Sequence, residues 1–301
     1  MATFAATVTA RTGPVAGLHS TAWAGGVVAV AVLLGGHVPE AAFLALAVAI
    51  GLPHGAFDHI LGRQLFHPAY GRHWWRPFLL TYLTFVAATL TVWWAAPGFA
   101  LAAFLLLSLF HFGQEDAVAG ASYYPARVLA HGGAVIVVPA AAHQLAVERL
   151  FAILAPADAT AIAAALAGPL LLVWAAAAML ALGSYLAHGQ KGRIAALNLA
   201  LTVALFTVTA PLIAFSLYFA ALHAPRAFAA LRREGHASGS ALIPLTLTIL
   251  GLMLGVTIYC VGARSPSGDG IIRTAFLLLS ALTVPHMWLE WRLRTASWPT
   301  A

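Results

Sequence analysis

Long apolar runs separated by short polar loops make up most of the chain. Ten runs approach the roughly 20 residues that a helix needs to cross a hydrocarbon core of roughly 30 Å. Their backbone must be helical, because lipid offers no partner for unpaired N–H and C=O groups. The pattern predicts an all-α fold, a polytopic transmembrane helical bundle of about 8–10 spans. The predicted spans are 17–36, 40–62, 77–96, 99–118, 126–142, 168–187, 193–209, 211–231, 241–261 and 271–291.

One stretch fits the pattern poorly. Residues 143–168 carry Glu148 and Arg149 within a moderately apolar sequence, so an interfacial helix or a re-entrant segment is expected there. No linker or internal repeat divides the chain, which predicts a single integral membrane domain over 1–301. Residues 1–16 are expected to form a flexible N-terminal tail rather than a cleaved signal peptide.

Composition and charge agree with membrane insertion and predict an orientation. The chain is 62% hydrophobic and 8% charged, with a net charge of +6. The predicted loops put twelve of the 15 Lys and Arg residues on one side, which by the positive-inside rule is cytoplasmic, as are both termini. We therefore expect the excess of Lys and Arg to set the orientation of the protein in a cell (inner) membrane. It does not indicate nucleic-acid binding.

Four histidines lie on four of these apolar runs, about five to eight residues before the end of each run: His54, His111, His223 and His286. All four runs are predicted to point toward the cytoplasm. At about 1.5 Å of rise per residue, the first three imidazoles lie near the bilayer midplane, and His286 lies somewhat shallower. Polar side chains at that depth usually carry function, and histidine is the commonest metal ligand. We therefore expect a metal or haem centre inside the bundle.

Carboxylates accompany two of these histidines. Asp58 follows His54 by four residues, and Glu115 follows His111 by four, a spacing that places both side chains on one helix face. Metal-bound imidazoles usually donate their second N–H to a carboxylate, a carbonyl or water. Asp58 and Glu115 are therefore candidates to orient imidazoles, although carboxylates also mark span ends. His131, near another span end, is interpreted as structural.

The predicted ligand atoms do not identify the metal. Ligation by nitrogen without a thiolate suits iron, copper, zinc or nickel. Cys260 is the single cysteine, which excludes an intramolecular disulfide and a cysteine cluster. A centre near the midplane would meet lipid-soluble substrates and O₂, which favours oxidation of a hydrophobic molecule over hydrolysis.

Four ordered motifs carry a family resemblance. GLPHGAFDH at 51–59, FHFGQED at 110–116, HAPR at 223–226 and VPHM at 284–287 resemble the Brp/Blh family. Members of that family are bacterial and archaeal membrane β-carotene 15,15′-dioxygenases. The resemblance implies cleavage of β-carotene by O₂ at its central double bond, with Fe(II) as cofactor, giving two molecules of retinal.

The resemblance also implies a ligand set and partners. Iron ligation by histidine carries to His54, His111 and His223. The family pattern has a further histidine four residues after the third, where this chain has Ala227. His286, a water molecule or Asp58 is therefore the candidate fourth ligand. Expected partners are the carotenoid, O₂ and the bilayer, and a rhodopsin that accepts retinal is a candidate.

Two other functions remain open on the residues alone. Paired histidines on facing helices can ligate haem axially, as in a b-type cytochrome. The departure at Ala227 favours a non-catalytic carotenoid-binding membrane protein.

Overall fold

The computed structural model describes residues 22–30, 58–117, 123–226 and 268–295. These residues form helices and no strand, which confirms the all-α bundle. Besides the helical residues 22–30, the helices are α1 (Asp58–Tyr70), α2 (Trp75–Ala95), α3 (Pro97–Asp116), α4 (Tyr124–Ala142), α5 (Gln144–Leu154), α6 (Ala159–Leu186), α7 (Gly189–Val208), α8 (Pro211–Leu217, continued by the π-helical segment Tyr218–His223) and α9 (Gly268–Thr295).

Six of the described helices are long and apolar enough to cross a membrane, which indicates a multi-pass membrane protein. They are α2, α3, α4, α6, α7 and the part of α9 from Ile272 to Leu293. Each corresponds to a predicted span. The predicted spans 17–36, 40–62 and 241–261 lie largely or wholly outside the described residues, as does the end of 211–231.

The poorly fitting stretch, residues 143–168, contains a short helix and the first turns of a long one. In α5, Val147, Phe151 and Leu154 are buried on one face while Arg149 is exposed, the pattern of an amphipathic surface helix. Helix α6 begins at Ala159, well before the predicted start at 168, because a π-helical segment, Leu166–Leu170, takes Pro169 into the helix. A π-turn therefore lies where the span was predicted to begin.

The helices form two groups that share α3. Helix α4 packs against α3, α6 and α7, whereas α9 packs against α1, α2 and α3. A hydrogen bond of 2.7 Å from Trp93 Nε1 to Ser280 Oγ joins α2 to α9. Because α3 belongs to both groups, its inward face is where polar residues of several helices can meet.

Glycines permit close contact between α3 and α4. A Cβ atom on Gly113 would collide with the carbonyl oxygen of Val128, and one on Gly132 would collide with that of Leu109. Small residues of this kind let helix backbones approach each other in membrane proteins. The contact holds α3, and thus His111, against a rigid neighbour.

Candidate metal centre

Three of the four predicted histidines meet in the interior of the bundle. His111 on α3, His223 at the end of the π-helical segment and His286 on α9 are all buried. Nε2 of His111 lies 3.2 Å from Nε2 of His223. The ring centroids of His111 and His286 are 5.3 Å apart. His286 therefore lies beside His111, and helix α9 continues beyond it to Thr295.

A carboxylate completes a set of ligand atoms. Single donor atoms of His111, His286 and Glu290 all lie within 4.8 Å of one another. Glu290 Oε1 is 3.6 Å from His286 Nε2, one helical turn along α9. Two nitrogen ligands about 2.1 Å from one ion, at right angles, lie about 3 Å apart. The spacing of His111 and His223 thus also suits two ligands of a single ion.

Asp58 is the second carboxylate at the centre, and it contacts His286. Its Oδ1 lies 2.6 Å from His286 Nδ1, and its Oδ2 accepts a hydrogen bond of 2.8 Å from the Tyr82 hydroxyl. Asp58 begins α1, Tyr82 lies on α2 and His286 lies on α9. This buried carboxylate therefore ties three helices together beside the candidate ligands.

A third carboxylate joins the helices that carry His111 and His223. Asp116, the last residue of α3, accepts hydrogen bonds from Arg226 (2.7 Å) and from the Tyr218 hydroxyl (3.0 Å). Tyr218 begins the π-helical segment that ends at His223. Segments of this type occur frequently at functional sites. Trp23, from residues 22–30, donates a hydrogen bond to the carbonyl oxygen of Ala221 in the same segment.

Aromatic rings surround the histidines. Phe112 lies 5.0 Å from His223, and Phe219 stacks on the same imidazole at 5.7 Å with an interplanar angle of 14°. On the other side, Trp288 follows His286 by two residues and contacts Phe85 at 5.4 Å. Aromatic rings therefore lie against the imidazole of His223 and close to His286 along α9.

The structure describes only some of the other predicted site residues. His54 and Ala227 lie outside the described residues. Glu115 is partly buried near the end of α3, and its predicted role in orienting His111 stays a prediction. Asp58 was expected to orient His54, and in the described residues its imidazole partner is His286.

Sequence reasoning missed Glu290 and Tyr82. The signal for Glu290 was present, because it follows His286 by four residues, the spacing that singled out Asp58 and Glu115. Tyr82 had no comparable signal. It approaches Asp58 through the packing of α1 on α2, which no local spacing encodes.

A second buried histidine lies apart from this cluster. Nε2 of His131 on α4 lies 2.9 Å from the Tyr185 hydroxyl on α6. The guanidinium of Arg127 stacks 4.4 Å from the ring of Tyr185 and donates a hydrogen bond to Ser184 Oγ. In the described residues, the hydrogen-bond partner of His131 is the neutral hydroxyl of Tyr185, and the structural role of His131 stays a prediction.

The comparisons with known proteins identify the family. The family model for beta-carotene 15,15′-dioxygenase matches residues 45–293. The chain is also 32% identical over 254 residues to a beta-carotene 15,15′-dioxygenase from the uncultured marine bacterium 66A03, covering 81% of this chain and 90% of that protein. No solved structure matches. The chain therefore belongs to the beta-carotene 15,15′-dioxygenase family, a family of carotenoid-cleaving dioxygenases.

Proposed function

We propose that this protein cleaves β-carotene at the central 15,15′ double bond with O₂, giving two molecules of retinal, and that it uses Fe(II). Family membership supports the reaction and the substrate. The observation that carries the proposal is the convergence of His111, His286 and Glu290 in the interior of the bundle. Two histidines and one carboxylate are the donor set of many non-haem Fe(II) oxygenases.

The proposed ligands are His111, His286 and Glu290. His223 lies beside His111, at a spacing that also suits a ligand of the same ion. His54 remains a proposed further ligand outside the described residues. Glu290 offers a donor atom that can offset the missing histidine at Ala227. Bound Fe(II) would supply the redox chemistry and the open coordination positions that O₂ activation requires.

The remaining residues position the donors and exclude water. Asp58 holds His286 through Nδ1, and Asp116 joins α3 to the segment that carries His223. Phe112 and Phe219 pack on the imidazole of His223. Such an apolar lining suits a hydrocarbon substrate and protects reactive intermediates from side reactions.

The membrane setting suits this substrate. β-Carotene is a rod about as long as a hydrocarbon core of roughly 30 Å is thick. A molecule that spans the bilayer would bring its central double bond to the depth where the histidines were predicted. We propose the cell (inner) membrane as the location, with both termini cytoplasmic, and a retinal-accepting rhodopsin as a downstream partner.

The test is expression in bacteria that accumulate β-carotene, followed by extraction and chromatography of the pigments. The unaltered protein should consume β-carotene and form retinal, and His111→Ala should abolish retinal at equal protein level. His67→Ala is the matched control, because His67 is exposed on α1, and it should keep full output. Full retinal formation by His111→Ala would contradict the proposal.

The cytochrome alternative fits the geometry poorly. Axial haem ligands lie on opposite faces of the macrocycle, with their nitrogens about 4 Å apart. His111 and His223 are separated by 3.2 Å between their Nε2 atoms, which leaves no room for a macrocycle between them. A strong Soret band in the purified protein would revive this alternative. A carotenoid carrier would bind pigment and leave it intact in the expression test.

A further inference from the structure

We infer that Tyr82 is a positioning residue of the metal centre, which acts through Asp58 to hold His286 with Nε2 turned toward Glu290. The inference rests on the proposed function, since it concerns how one proposed ligand is oriented. Tyr82 itself is not proposed to touch metal or substrate.

The contact with Asp58 decides which nitrogen of His286 carries the hydrogen. Asp58 is 2% exposed, and its oxygens are contacted separately, Oδ1 by His286 Nδ1 and Oδ2 by the Tyr82 hydroxyl. An ionised carboxylate can only accept hydrogen bonds, so Nδ1 of His286 carries the hydrogen. In a neutral imidazole the lone pair is then on Nε2, the atom that lies 3.6 Å from Glu290 Oε1. Asp58 therefore presents the metal-binding nitrogen of His286 to the other donors.

The orientation of the Asp58 carboxylate depends on its hydrogen bond with Tyr82. A buried carboxylate that loses a donor becomes costly and moves toward another partner. The Tyr82 hydroxyl satisfies Oδ2 and leaves Oδ1 directed at His286. Removing that hydroxyl should therefore loosen His286 through Asp58.

The ring and the hydroxyl of Tyr82 have different partners. The ring of Tyr82 packs on Phe78 with centroids 5.6 Å apart. Tyr82→Phe keeps this contact and deletes the hydrogen bond to Asp58. The substitution thus isolates the positioning role from a role in helix packing.

The experiment is a Co(II) titration of the purified full-length protein in detergent, followed by its visible absorption bands. Tyr82→Phe should weaken Co(II) affinity by about 10-fold and alter the bands, since second partners of metal-bound histidine typically contribute 10- to 100-fold. If Tyr82 acts through Asp58, Tyr82→Phe should weaken binding much less in an Asp58→Asn background, because coupled residues are not additive. Tyr185→Phe is the matched control. It removes a buried tyrosine hydroxyl from His131 and should leave Co(II) affinity unchanged.

The outcomes separate this inference from the proposed function. Unchanged affinity in Tyr82→Phe or in Asp58→Asn, or fully additive losses in the double variant, would overturn the positioning role. The Asp58→Asn result decides the question even if Tyr82→Phe gives little folded protein. His286→Ala with undiminished Co(II) affinity would instead overturn the proposed centre.

Discussion

Two buried histidine–tyrosine networks in this protein differ in the groups that contact the imidazole. His286 faces the carboxylates of Asp58 and Glu290. In contrast, His131 contacts the neutral hydroxyl of Tyr185, and the charged groups that act on it have both signs: Asp116, Arg226 and Arg127. Burial and hydrogen bonding are similar in the two networks, so they do not distinguish a metal ligand from a structural histidine. The chemical type of the direct partner does, because a metal-bound imidazole usually donates its second N–H to a carboxylate, a carbonyl or water, and His286 contacts Asp58 in this way.

The two networks also differ in the helices that hold them. His131 lies in the group of α3, α4, α6 and α7, where glycines bring α3 and α4 into close contact. The His286 network joins α1, α2 and α9 through side-chain hydrogen bonds. The first group is closely packed where α3 meets α4, and the second converges on His111 of the shared helix α3. The comparison predicts that substitutions in the two networks affect different properties.

The largest effect should follow His286→Ala. Loss of a proposed ligand should reduce retinal formation and metal content by more than about 100-fold, beyond the typical loss of a second partner. Retinal chromatography and metal analysis of the same purified sample measure both. A variant that loses activity and keeps its metal would show that His286 serves another role.

Glu290→Gln should have the next largest effect, on the order of 10- to 100-fold in metal affinity. The amide keeps the size of the side chain and removes the negative charge that faces His286. Glu290→Asp, which keeps the charge on a shorter side chain, should retain more metal than Glu290→Gln. The opposite order of the two variants would mean that shape, not charge, matters at this position.

Asp116→Asn should reduce the turnover rate by about 10-fold and leave most of the metal bound. The substitution breaks the ion pair with Arg226 and weakens the bond from Tyr218, so His223 can shift relative to His111. Small misplacements of this kind lower rates more than binding. Steady-state kinetics in detergent should show a fall in kcat with little change in KM. Glu148→Gln, on α5, is the control and should leave both constants unchanged.

His131→Gln should have the smallest effect on function. Retinal output and metal content should stay within about twofold, while the free energy of unfolding falls by about 1 kcal/mol, the typical contribution of one hydrogen bond. Thermal unfolding in detergent, alongside the retinal assay, checks both parts. Loss of metal in His131→Gln would contradict the assignment of His131 as a structural residue and His286 as a metal ligand.

Much of the fold could be predicted from the apolar pattern, because span length and hydrophobicity act locally. Helices α2, α3, α4 and α7 begin and end close to the predicted limits. Helix α6 was predicted to begin too late, and Pro169, next to the predicted start, lies within a π-helical segment of the continuous helix. The choice between α-helical and π-helical hydrogen bonding depends on packing, which the local sequence does not show.

The candidate site was predictable in its histidines and less so in its partners. Depth along each span selected His111, His223 and His286, and the structure brings all three together. The pairing of Asp58 with His286 joins residues 228 positions apart. That pairing follows from the packing of α1 on α9, and no spacing within one helix could have predicted it.

The most direct test is iron K-edge X-ray absorption on the purified protein loaded anaerobically with Fe(II), compared with His286→Ala. We expect stoichiometric iron in a nitrogen and oxygen environment, with scattering from at least two imidazoles, and one imidazole fewer or greatly reduced iron in the variant. An unchanged iron environment and content in His286→Ala would contradict the claim that His111, His286 and Glu290 hold the metal.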